Sequence, residues 1–171
     1  MWWFDNRNSL NNLSIVKTLT WHDETATQAF AEQLAASLCA NHLARACMAL
    51  HGDLGAGKTT FVRHLLRALG VTGRIKSPTY AVLEPYEVTT SAGPWPIWHF
   101  DFYRFSDPRE WEDAGFRDIF AGPGLKLCEW PEHAKGVMPT PDLDLHLQVG
   151  TDTQRELTLH ANTPLGEALL A

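Results

Sequence analysis

The spacing of apolar and polar residues changes several times along the chain, and each change predicts an element. Residues 14–21 are rich in β-branched side chains and read as a strand. A helix follows to about Leu43, capped by Asp23 or Thr25, because Phe30, Ala31, Leu34, Ala35 and Leu38 recur at helical spacing. Residues 46–50 form a short unbroken apolar run, the pattern of a strand buried on both faces. The next helix is predicted over 58–69: Phe61, Val62, Leu65, Leu66 and Leu69 share its inner side and Gly70 stops it. Residues 79–88 and 96–103 read as extended segments joined by a Pro/Gly/Ser/Thr-rich hairpin loop at 89–94. Asp107, Pro108 and Glu110 carry the signature of a capped helix start. Residues 125–128 predict another strand. Alternating leucines at 143–149 and 157–159, split by residues 150–153, predict an antiparallel hairpin with one wet face. Thr163 and Pro164 open a short terminal helix.

Residues 1–13 are polar and Asn-rich apart from Trp2, Trp3 and Phe4, and read as an extension ahead of one domain over 14–171. There is no internal repeat or linker. With 171 residues, 44% hydrophobic and 20% charged, the chain suits a globular domain with a real core. The net charge of −6 disfavours unaided binding of nucleic acid, whose phosphates call for a basic surface. Three cysteines, Cys39, Cys47 and Cys128, form no C-x-x-C pair and read as reduced thiols. No apolar run approaches a membrane span, and the first residues do not read as a signal peptide. The expected location is the cytoplasm, with no membrane partner.

The chemistry concentrates at residues 52–59, where the sequence meets G-x-x-x-x-G-K-[ST] between a buried strand and an amphipathic helix. Each residue type has a task. The glycines let backbone amides crowd phosphate oxygens. The helix N-terminus adds unpaired donors. Lys58 reaches the β- and γ-phosphates, and the Thr59 hydroxyl is placed to ligate Mg²⁺. The elements and this loop together predict an α/β, P-loop NTPase-like three-layer fold: a mixed sheet with a parallel core and antiparallel hairpins, helices on both faces.

Such a loop requires a second acid at a strand end near the metal. Asp101, ending the run 97–100, and Glu129, ending 125–128, both fit, and Glu129 is also a candidate for positioning the attacking water. Guanine-specific relatives carry an Asn/Thr-Lys-x-Asp run, which is absent here, so the expected nucleotide is ATP. His99 reads as a hydrogen-bonded structural histidine, with a catalytic role as the alternative. Arg104 reads equally as a charge-stabilising finger or an ion-pair partner.

Four runs in order, 52–60, 76–80, 99–104 and 129–131, resemble the TsaE (YjeE) family of bacterial P-loop ATPases in tRNA threonylcarbamoyladenosine formation. The resemblance implies that Asp53, Gly55, Ala56, Gly57, Lys58, Thr59 and Thr60 hold ATP. It places Trp130 beside the nucleotide and, more loosely, Glu24 and Thr27 near the adenine. Lys58, Asp101 and Glu129 are then the candidate catalytic residues, and Thr59, Glu129 and Asp101 the candidate Mg²⁺ ligands. Residues 77–79 resemble a switch segment that senses the γ-phosphate. The implied partners are TsaB and TsaD, with tRNA reached only through that assembly and ATP hydrolysed slowly without it. The competing function is a small-molecule kinase. A kinase lid calls for several arginines, and between the loop helix and the strand at 125–128 the chain offers few: Arg74, Arg104, Arg109 and Arg117.

Overall fold

The computed structural model describes residues 15–40 and 44–171. The extension at 1–13 and the expected helix end near Leu43 lie outside the described residues.

The elements follow in the order β1 (Val16–Trp21), α1 (Glu24–Ala40), β2 (Cys47–His51), α2 (Lys58–Ala68), β3 (Leu83–Thr90), β4 (Gly93–Asp101), α3 (Pro108–Asp113), α4 (Phe116–Ala121), β5 (Leu125–Glu129), a 3-10 turn (Pro131–Ala134), β6 (Leu143–Val149), β7 (Arg155–Ala161) and α5 (Pro164–Leu170). One seven-stranded sheet runs β1-β7-β6-β2-β5-β4-β3. Its centre, β6-β2-β5-β4, is parallel. Antiparallel pairs β1–β7, β6–β7 and β3–β4 flank it.

Burial follows from the period of each element. The continuous runs 47–50 and 125–129 are buried on both faces, as central parallel strands must be. Met48, Leu50, Leu125, Leu127 and the leucines of β6 and β7 pack with α1 and α2 in one cluster. Cys47, Phe100 and Cys128 turn the other way and meet Trp111 of α3 and Phe116 of α4. Helices therefore cover both faces.

Local signals set the boundaries. Asp23, not Thr25, caps α1: its carboxylate accepts from the Ala26 amide at 2.9 Å. The capping box at Asp107 and Glu110 is formed, and the Thr163 hydroxyl caps α5. α4 and the 3-10 turn carry no clear signal in the sequence.

The middle hairpin differs from its expected shape. Strands β3 and β4 take in Thr89, Thr90, Gly93 and Pro94, leaving only Ser91 and Ala92 at the turn. Threonine favours strands. Pro94 and Pro96 are tolerated because β4 meets β5 only from Ile97 onward, so the missing amides face no ladder on that side. Residues 79–82 form turns instead of strand, with Val82 at φ 66°. β4 stops at Asp101 and not Tyr103, because the Asp101 carboxylate turns back to accept from the Tyr103 amide at 2.9 Å.

Candidate functional site

The phosphate loop leaves the C-terminal end of β2, at the centre of the parallel strands. Gly52, Gly55 and Gly57 have φ of 140°, 80° and 107°, backbone that side chains resist. A Cβ on Gly52 would also stand 2.4 Å from the Leu147 carbonyl oxygen, so the loop lies tight against β6. Gly57 precedes α2 without a side-chain cap. The first-turn amides of α2 thus remain available to an anion.

Lys58 is buried. Its ammonium donates to the carbonyls of Gly52 and of Asp53, the latter at 3.0 Å, and lies 3.9 Å from the centre of the Trp130 ring. Burial pushes its pKa below the ordinary lysine value, against the opposing pull of Glu129, Glu132, Asp101 and Asp53. Backbone carbonyls and one ring hold this cation with no direct ion pair among the described residues, so a phosphate can take their place without breaking one of those.

β4 and β5 run side by side and bring Asp101 and Glu129 into register at their ends. Thr59, on the second residue of α2, donates its hydroxyl to the Glu129 carboxylate at 2.8 and 3.0 Å. His99 is fully buried, and its Nε2 lies 2.8 Å from Glu129 Oε1. Asp101 is held from the other side by the Thr79 hydroxyl at 2.8 Å, which in turn contacts the Ser77 hydroxyl at 2.9 Å. Trp130, at φ 55°, turns its ring over Lys58 directly after β5.

Gly55, Gly57, Lys58, Thr59, Thr60, Asp101, Glu129 and Trp130 line one cavity of about 220 Å³, together with Leu54, Thr79 and Tyr103. A hydroxyl and two carboxylates on one wall offer the oxygen donors that Mg²⁺ takes, so the residues fit that ion.

A second cavity, of about 160 Å³, lies across the loop. Glu24, Thr27 and Ala56 line it and share Gly55, Gly57 and Thr60 with the first. Asp23, Trp21, Thr153 and Arg155 complete its walls, and sequence reasoning missed the last three. Arg155 donates from Nε to the Ala56 carbonyl at 3.0 Å. Nothing local marks it: the contact spans 99 residues and depends on the β6–β7 hairpin folding over the loop.

Three residues stand apart from these walls. Asp53 lines neither cavity and contributes its carbonyl to Lys58. His99 reaches the site only through Glu129, and its buried Nδ1 has no hydrogen-bond partner among the described residues. Arg104 stacks 4.4 Å over the Tyr80 ring and forms no ion pair among the described residues.

Known proteins match this arrangement over most of the chain. The family model described as threonylcarbamoyl adenosine biosynthesis protein TsaE matches residues 21–157. The tRNA threonylcarbamoyladenosine biosynthesis protein TsaE of Haemophilus influenzae is 39% identical over 150 residues, covering 87% of this chain and 92% of that one. Its counterpart in Bacillus subtilis is 37% identical over 114 residues, covering 67% and 68%. Among solved structures, YdiB of Bacillus subtilis superposes with a TM-score of 0.65 at 29% identity, covering 91% of this chain and 93% of that one. Matches of this extent, with the loop and both strand-end acids inside the matched span, establish that the chain belongs to the TsaE family.

Proposed function

We propose that this chain binds and hydrolyses Mg·ATP on the loop at 52–59, and that it does so in support of a TsaB–TsaD assembly forming threonylcarbamoyladenosine next to the tRNA anticodon. The observation that carries the reading is the joined pair Thr59–Glu129, set beside Asp101 at the ends of adjacent parallel strands and facing a capless helix N-terminus.

The division of labour follows from these contacts. Amides of residues 55–60 and the Lys58 ammonium bind the β- and γ-phosphates. Magnesium neutralises phosphate charge when bound, and Thr59 and Glu129 are the residues to hold it, with Asp101 close by. Water attacks the γ-phosphorus while its bond to the β,γ-bridging oxygen breaks, releasing ADP and phosphate. Asp101, fixed by Thr79 and the Tyr103 amide, orients that water. The base lies in the second cavity, near Glu24, Thr27 and Arg155.

Thr79 and Ser77 tie residues 77–79 to Asp101, and Thr79 lines the phosphate cavity. Ser77 and Tyr80 next to it are exposed. A partner surface that orders this segment lowers the entropic cost of enclosing the γ-phosphate. The kinase reading gains nothing from Arg74, Arg104, Arg109 and Arg117. Arg109 pairs with Asp107, Arg117 with Glu112, and none of the four lines the phosphate cavity.

Steady-state phosphate release tests the proposal, for wild type and Thr79→Ala, each with and without TsaB and TsaD. The expected result is slow release alone and at least about tenfold stimulation by the partners, about 1.4 kcal/mol of barrier. Thr79→Ala should lose the stimulation and retain ATP binding. A wild type indifferent to the partners removes the assignment to that assembly. ATP consumption with a phosphorylated small molecule as product moves the chain to the kinases.

A further inference from the structure

β6 and β7 contribute nothing to the apolar cluster under α3 and α4. On that face their polar positions instead gather imidazoles and a carboxylate. Asp144 and His146 alternate with the buried Leu143, Leu145 and Leu147, and His160 pairs with Asp144 across the β6–β7 ladder. His51, the last residue of β2, stands in register with His146. The His51 and His146 rings stack at 4.2 Å with 10° between their planes, and His160 meets His146 edge-on at 5.2 Å.

We propose that His51, Asp144 and His146 form a binding site for a divalent transition-metal ion of the zinc class, distinct from the magnesium site of the phosphate loop. One nitrogen or oxygen from each lies within 4.8 Å of the others. The contacts around them are those that orient metal ligands. His51 Nε2 lies 2.7 Å from Asp144 Oδ1. On the far side of the same ring, Glu132 Oε2 lies 3.7 Å from His51 Nδ1. The second Asp144 oxygen accepts from Asn162 Nδ2 at 2.6 Å. Neither nitrogen of His146 has a hydrogen-bond partner among the described residues, although the residue is half-buried.

A bound cation takes two neutral imidazoles and one carboxylate as ligands with an open fourth position, and because an imidazole coordinates in its own plane the His146 ring must turn out of its stack on His51 to reach the ion. Zinc–ligand bonds of about 2.0–2.1 Å put tetrahedral ligand atoms about 3.3 Å apart, so the His51–Asp144 pair opens by about 0.6 Å as metal replaces the shared proton. That ring proton then resides on Nδ1, facing Glu132. His51 and His146 both border a surface cavity of about 370 Å³, which provides an entry path. Imidazole nitrogens suit zinc, nickel or copper and not the oxygen-seeking Mg²⁺, so the two sites sort their ions by ligand type.

Calorimetric titration of Zn²⁺ in excess Mg²⁺ tests this with the full chain carrying Cys39→Ser, which removes the exposed thiol as a competitor. One Zn²⁺ per chain is expected. His146→Ala and Asp144→Asn should each weaken it by about tenfold to a hundredfold, and His146→Ala, whose ring nitrogens make no hydrogen bond among the described residues, should leave the metal-free melting midpoint in place. Cobalt in place of zinc should give a visible spectrum without thiolate charge transfer. Absence of stoichiometric binding overturns the proposal. So does undiminished affinity in both variants, or a cobalt spectrum dominated by thiolate.

Discussion

At the loop the Thr59 hydroxyl and the Lys58 ammonium both have partners within the protein, whereas His99 Nδ1 and Trp21 Nε1 are buried without one among the described residues. The Thr59 hydroxyl rests on Glu129, and the Lys58 ammonium rests on two carbonyls and a ring. Each can exchange its resting partner for phosphate or metal oxygen. Because Thr59 and Glu129 would act through the metal, their effects should depend on it. Thr59→Ala and Glu129→Gln are expected to lower Mg²⁺-dependent hydrolysis at least about tenfold, equivalent to about 1.4 kcal/mol. ATP affinity measured in EDTA should change far less. If Glu129→Gln hydrolyses ATP as wild type while Asp101→Asn is inactive, Asp101 is the metal acid. His99 is a positioning residue by its contacts: it reaches the cavity only through the Glu129 carboxylate.

At the scale of elements, the site depends on where the parallel strands end. β2, β4 and β5 terminate at one edge, which sets the loop, Asp101 and Glu129 together. β6 supplies the backstop, since the Leu147 carbonyl lies where a side chain on Gly52 would project. Gly52→Ala is therefore expected to lower stability by about 1–3 kcal/mol from backbone strain alone, and to weaken ATP binding as the loop shifts. Denaturant unfolding checks the first effect and nucleotide titration the second. Unchanged values for both would contradict the packing of the loop on β6.

Much of this was legible in the sequence, for identifiable reasons. The run 46–50, the glycine loop and the inner face of α2 are contiguous signals, and each corresponds to an element. Asp101 and Glu129 could be named because each ends an apolar strand. Trp21, Thr153 and Arg155 could not, because the second cavity exists only after β1 pairs with β7 and the hairpin meets the loop. The middle hairpin was misjudged where prolines and threonines look alike in loops and edge strands. Only the register, with β5 starting beside Ile97, shows that these prolines are permitted.

The whole molecule brings residues 24, 58, 101, 129 and 155 around one loop through a single sheet. Its net charge of −6 is ill suited to gripping tRNA directly. No helix among the described residues is long and apolar enough to cross a membrane. Everything proposed for the assembly rests on nucleotide held at the loop, so that binding is the point to test. Calorimetric titration of Mg·ATP into wild type and Lys58→Ala does so most directly. Wild type should bind one ATP per chain. Lys58→Ala should bind about tenfold to a hundredfold more weakly, a loss of about 1.5–3 kcal/mol from the missing charge-assisted contact, with its fold retained. Equal affinity in the two proteins, or no binding by wild type, would contradict the account.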